Sequence, residues 1–148
     1  MTRSQRLDPL LRVTQQRQDA VAKQLAERDK ALNEQQQRLD LLKQYAESYS
    51  PAPAGSTLAP AMLANHVAFR AKLDVALQQQ AQAVDVSRQN REIERARLLL
   101  ASRDNKVLEQ LAASYRSEEQ RVAGQREQRE LDDLGGRRAR AAREAGET

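Results

Sequence analysis

Few residues in this 148-residue chain are of the types that carry chemistry, and their spacing narrows the choice further. The sequence holds one His, no Cys and no Gly-rich phosphate loop. His66 has no companions at metal-ligand or triad spacing, so it reads as an ordinary, partly exposed side chain. No pair of acids is placed for hydrolysis. No catalytic, cofactor or metal site is therefore expected, and the chain does not read as an enzyme. Arg137, Arg138, Arg140 and Arg143 form a cluster that could meet phosphates. It is short, lacks interleaved aromatics and has Glu144 and Glu147 beside it, and cations there equally suit the C-terminal end of a helix. Nucleic acid is not an expected partner. Contact chemistry remains: Tyr45, Tyr49 and Phe69, three of the chain's four aromatics, fall within residues 42–80.

Composition limits what can position these groups. Charged residues make up 31% and aromatics 3%, and Ala supplies much of the apolar share, so little is available for a thick globular core. The options are a long helix or coiled coil, or disorder. The formal net charge of +4 is spread in mixed sign, as on a solvated helical face. No apolar run approaches the ~20 residues of a membrane span, residues 1–12 lack the apolar stretch of a signal peptide, and a cysteine-free chain fits the cytoplasm.

Periodicity selects helix. Asp8 followed by Pro9 reads as a helix start, with Asp as N-cap and Pro at the first helical position. A 3-4 spacing then runs through Leu11, Thr14, Gln18, Val21, Leu25, Arg28, Leu32, Gln35, Leu39, Leu42, Ala46 and Tyr49. So narrow a stripe is a coiled-coil seam. Ser50, Pro51, Pro53 and Gly55 break it. The expectation is a single all-α antiparallel coiled-coil hairpin. Helix 1 spans about 9–49, a turn about 50–57 and helix 2 about 58–134, ended by Gly135 and Gly136, with a frayed tail at 135–148.

Helix 2 is less regular. Met62, Phe69, Leu73 and Ala76 keep one register, Val86, Ile93, Leu100 and Val107 repeat in a second, and Leu108, Tyr115 and Val122 in a third, which reads as a series of stutters. Closing the hairpin tightly pairs Tyr49 with about Met62, Leu42 with about Phe69 and Leu11 with about Leu100. The second helix is then the longer one, with an unpaired overhang from about 101 to 135 whose apolar face asks for a partner.

At the bend, Leu42, Tyr45 and Tyr49 follow helical spacing on one side, and Phe69, Leu73, Ala76 and Gln80 on the other. Two readings stand side by side: hairpin core, or a docking patch left exposed because two helices cannot enclose three rings.

At these residues the chain resembles the FliJ family, the small coiled-coil component of the bacterial flagellar type III export apparatus. The resemblance rests on Leu7, Leu10 and Leu11 at the start, and on Leu39, Leu42, Tyr45 and Tyr49 before a Gly-containing turn. Phe69, Leu73 and Ala76 follow the turn, and the run from Glu127 to Leu134 comes late in the chain. It implies a non-enzymatic stalk that docks in a hexameric export ATPase (FliI-like) and promotes its assembly, contacts the export gate protein (FlhA-like) and handles export chaperones. It also implies a cytoplasmic location, peripheral to the inner membrane at the flagellar base. The family's gate contact maps onto Arg38, Leu42, Tyr45, Tyr49, Phe69, Leu73, Ala76 and Gln80, with Arg38 where Gln is usual and Gln80 where His is usual. By the same analogy the overhang, through Val107, Leu111, Tyr115 and Val122, enters the ATPase ring together with the N-terminus. Rival readings are the equivalent stalk of a virulence injectisome, a basic coiled coil on nucleic acid, and a generic scaffold.

Overall fold

A computed structural model of the chain describes residues 1–49 and 59–147. Two helices, α1 (Arg3–Ser48) and α2 (Pro60–Gly146), pack against each other, with no strand among the described residues. The turn expected at 50–57 lies outside the described residues. Packing divides the chain into two compact units, Arg17–Ala101 and the pair of segments Met1–Gln16 and Ser102–Thr148. α1 and α2 are antiparallel within each.

In the unit Arg17–Ala101, every expected seam position of α1 from Gln18 to Tyr49 is buried or half-buried, apart from the exposed Arg28. Narrow apolar periodicity therefore identified the packed face of α1. On α2 the seam runs through His66, Phe69, Leu73, Ala76 and Gln80, then Val84, Ser87, Arg91, Glu94, Leu98 and Ala101. Ala83 and Asn90 share it where the 3-4 alternation slips once. The second register expected from sequence is overturned: Val86, Ile93 and Leu100 are each at least half exposed. A helix whose seam is fixed by Phe69 and Leu73 reaches position 84, and moving to 86 would turn it by about 200° at 3.6 residues per turn.

Polar groups pin the register in this unit. Gln80 Nε2 donates to the Gln35 carbonyl at 2.9 Å and to Gln35 Oε1 at 2.8 Å. Arg91 Nε reaches Asp29 Oδ1 at 2.9 Å. These pairings, with Tyr49 against Phe69, slip the helices by about one heptad from the tight closure expected. Tyr49 meets His66 and Phe69 rather than Met62, which is 61% exposed. Ring packing and the Gln pair both oppose the closer register, which would set Tyr49 against a flexible Met.

In the other unit, Asn105 is 6% exposed and sits on the seam. Thr14 Oγ1 lies 2.9 Å from Asn105 Oδ1, and Asn105 Nδ2 donates to Gln15 Oε1 at 3.0 Å. A buried Asn satisfied only in one alignment specifies register at some cost in stability. Leu108, Ala112, Tyr115 and Glu119 continue the seam opposite Leu11, Leu7 and Ser4. Residues 102–119 are thus paired, and the overhang expected from 101 begins only after Glu119. From 120 to 147 every residue is exposed.

Both helix ends also differ from expectation. α1 starts at Arg3 and runs through Pro9. Thr2 and Gln5 form a capping box: Thr2 N–H donates to Gln5 Oε1 at 3.1 Å, and Gln5 N–H to Thr2 Oγ1 at 3.4 Å. That cap and the contact to α2 offset the helical bond Pro9 cannot make. α2 runs on through Gly135 and Gly136 to Gly146 instead of ending at 134. Neither glycine has a positive φ, so neither forms a left-handed stop, and the following Arg- and Ala-rich residues are strong helix formers.

Candidate partner-docking sites

Near the end of α1, Leu42 and Ala46 turn inward on the seam while Tyr45, one position off it, stays 51% exposed. Tyr49 closes the seam. Its ring lies over His66 with centroids 4.7 Å apart and against Phe69 at 4.6 Å. Tyr45 meets Phe69 edge-on at 6.2 Å and Tyr49 at 6.5 Å. Offset and edge-on pairs of this kind add about 0.5–1.5 kcal/mol each beyond area burial. Arg70 Nη1 donates to the Ala46 carbonyl at 2.9 Å, satisfying one of the acceptors that a helix C-terminus leaves open.

The residues mapped by resemblance onto a gate contact divide into two kinds. Leu73 is 6% exposed, and Leu42, Ala76 and Gln80 are half-buried on the seam, Gln80 bound to Gln35. Tyr45, Tyr49 and Phe69 are brought together, with Tyr45 the most open, and Arg38 is exposed. Core and patch are thus not alternatives. The inner atoms of the cluster hold the helices while the outer ones remain accessible. His66 joins the stack, and its place three residues before Phe69 on the same seam is the signal that could have included it.

The four residues mapped onto an ATPase contact also separate. Tyr115 is half-buried, with the Arg3 guanidinium 5.8 Å from its ring centroid. Val107, Leu111 and Val122 are exposed, and only Val122 lies beyond the paired part of α2. Next to them is a group the sequence reading passed over. Glu119 is half-buried and accepts from Ser4 twice, from Oγ at 2.6 Å and from N–H at 3.1 Å. A carboxylate on α2 thereby caps the first turn of α1, where orphan amides and the positive end of the helix dipole favour an anion. The Ser4 hydroxyl, then the Ser4 amide and the Arg3 amide, hold the Glu119 carboxyl below its ordinary pKa, with Arg116 adding to them and burial opposing. Arg121 does the same for Glu118, through a hydrogen bond of 2.6 Å and its charge.

Among the described residues no group of His, Asp and Glu could hold a metal ion, and no helix is long and apolar enough to cross a membrane. The chain's residues 3–144 match the family described as Flagellar FliJ protein. No curated protein and no solved structure matches the chain.

Proposed function

The chain belongs to the FliJ family of flagellar export-related proteins, and on that premise we propose that it is a non-enzymatic stalk and coupling factor of the export apparatus. Its partners are a hexameric FliI-like export ATPase, a FlhA-like gate protein and export chaperones. It works in the cytoplasm, peripherally associated with the inner membrane at the flagellar base. One observation carries the reading: the family match spans an antiparallel hairpin that offers both an accessible aromatic cluster and a bare helix. Tyr45, Tyr49 and Phe69, with Arg38, Leu42, Leu73, Ala76 and Gln80 shaping the surface beneath them, form the gate contact. Val107, Leu111, Tyr115 and Val122, continued by the exposed α2 helix beyond Glu119, form the ATPase contact.

The contacts do the work. A helix seated in a ring biases assembly or rotation through differential affinity for the ring's states, and no bond in a substrate changes. The test is a binding assay with Tyr45→Ala. Tyr45 is off the seam and half exposed, whereas Tyr49 is half-buried on the seam and pairs with three rings, so Tyr45 is the residue that best separates docking from folding. Gate binding should weaken about tenfold, the loss of one aromatic anchor worth at least 1.4 kcal/mol, with helicity and ATPase stimulation unchanged. Unchanged gate binding would remove Tyr45 from the interface. A pull-down from cell extract that brings neither an ATPase nor a membrane export protein would sink the whole reading.

A further inference from the structure

Beyond Glu119, α2 changes the face on which its apolar residues lie. Continuing the seam from Tyr115 and Glu119 at the same 3-4 spacing leads to Val122, Arg126, Arg129 and Asp133, three of them charged. The large apolar side chains of the bare segment other than Val122 are Leu131 and Leu134, 63% and 54% exposed. They belong to a different heptad stripe, Gly124, Glu127, Leu131, Leu134, Arg138 and Ala141, turned from the hairpin seam by roughly a third of a circle. A stripe in that phase cannot serve α1. Its members have no ion pair among the described residues.

We infer that this stripe is an interface between two copies of the chain, joined antiparallel through the bare α2 segments. The charge pattern picks both occupant and direction. Set antiparallel with Leu131 of one copy opposite Leu134 of the other, the stripe is complementary to itself. Glu127 then faces Arg138, and Glu130, flanking the seam, faces Arg137, each twice by symmetry. Gly124 and Ala141 meet where the helices need small side chains to approach. A parallel pair would set Glu127 on Glu127 and Arg138 on Arg138. Flanking charges of this kind determine the partner and orientation of coiled coils. An isologous pair of this kind closes on itself and does not grow into a filament. The seam holds two Glu–Arg pairs that must be desolvated, so the association is weak and salt-sensitive. It uses the same bare segment as the proposed ring contact, so a paired chain is held out of the ring until the pair dissociates, and it is told apart from ring insertion because it needs no other protein.

The experiment is sedimentation equilibrium of the full chain, with two charge-reversed variants. The parent should rise with concentration from 16.7 kDa toward twice that mass, and fall back in about 1 M salt, where the screening length is about 3 Å. Glu127→Arg with Glu130→Arg in one chain, and Arg137→Glu with Arg138→Glu in another, should each lose self-association. An equimolar mixture of the two should regain it. The substituted residues are all exposed, so hairpin folding is unaffected, and circular dichroism checks this. Because the chain has no cysteine, a mixture of Glu130→Cys and Arg137→Cys chains should give the mixed disulfide in preference to either homodimer. A parent that stays at 16.7 kDa at its highest soluble concentration overturns the inference. So do reversed variants that associate as the parent does, or a mixture that stays monomeric.

Discussion

The aromatic cluster and the bare segment of α2 expose apolar atoms for opposite reasons. At the cluster, Tyr45 is exposed and Tyr49, His66 and Phe69 are only half-buried because two helices cannot wrap their rings, yet each ring rests on another. Beyond Glu119, Leu131 and Leu134 are exposed because α1 does not reach them among the described residues. The cluster is therefore part of what holds the hairpin, and a substitution at Tyr49, His66 or Phe69 mixes folding with any docking role, while Tyr45 is the member least tied to the fold. The bare segment is not, and substitutions there should read docking alone.

The sharpest way to break this contrast is at Leu73, 6% exposed beneath the rings. Leu73→Ala should cost about 2–5 kcal/mol and lower the thermal unfolding midpoint, whereas Leu134→Ala should leave that midpoint in place. Equal shifts in the two variants would mean the bare segment shares the core. Next in size is the glycine pair. A methyl group at Gly135 or Gly136 meets nothing within 4 Å, so each change to Ala should stabilise the local helix by about 1 kcal/mol. Slower amide exchange around 130–146 is the measurement, with an unmoved midpoint. Similar in size is Tyr45→Ala, which removes two ring pairs, but because the ring is half exposed the loss should sit at their low end, about 1 kcal/mol in urea unfolding.

The smallest effect concerns pH. Glu119 has a folded-state pKa below its ordinary value, so its bonds to Ser4 are fully present above the ordinary carboxylate range, about 4.3. They are lost as pH falls through the lowered value. The first turn of α1 should therefore exchange its amides faster in acid, and Glu119→Gln should abolish that dependence. A parent and variant with the same acid response would assign it elsewhere.

The seam of α1 was legible because its spacing is narrow and its intervening residues are polar. From Leu11 to Tyr49 only Arg28 departs from the expected burial. α2 was harder to read because its seam carries Ser87, Glu94 and Asn105, while Val86, Ile93 and Leu100 repeat on the outside. Apolar heptads alone then point to the wrong face. The register escaped because it is fixed by long-range polar pairs, Gln35 with Gln80 and Thr14 with Asn105, which have no local signal. The capping box at Thr2 and Gln5 was present in the sequence but hidden by the stronger stop-and-start signal of Asp8 and Pro9. The rings of the aromatic cluster were readable from the sequence. Their division into supporting and accessible atoms was not, because it depends on Tyr45 lying one residue off the seam.

The bare segment of α2 is already helical through Gly146 before any partner arrives. A disordered tail of the same length would lose about 1–2 kcal/mol of backbone conformational entropy for each residue ordered on docking. Here that loss is largely settled within the free chain. A partner meets a preformed rod, so complexes through it should form with little folding after encounter and with rates set by diffusion and charge.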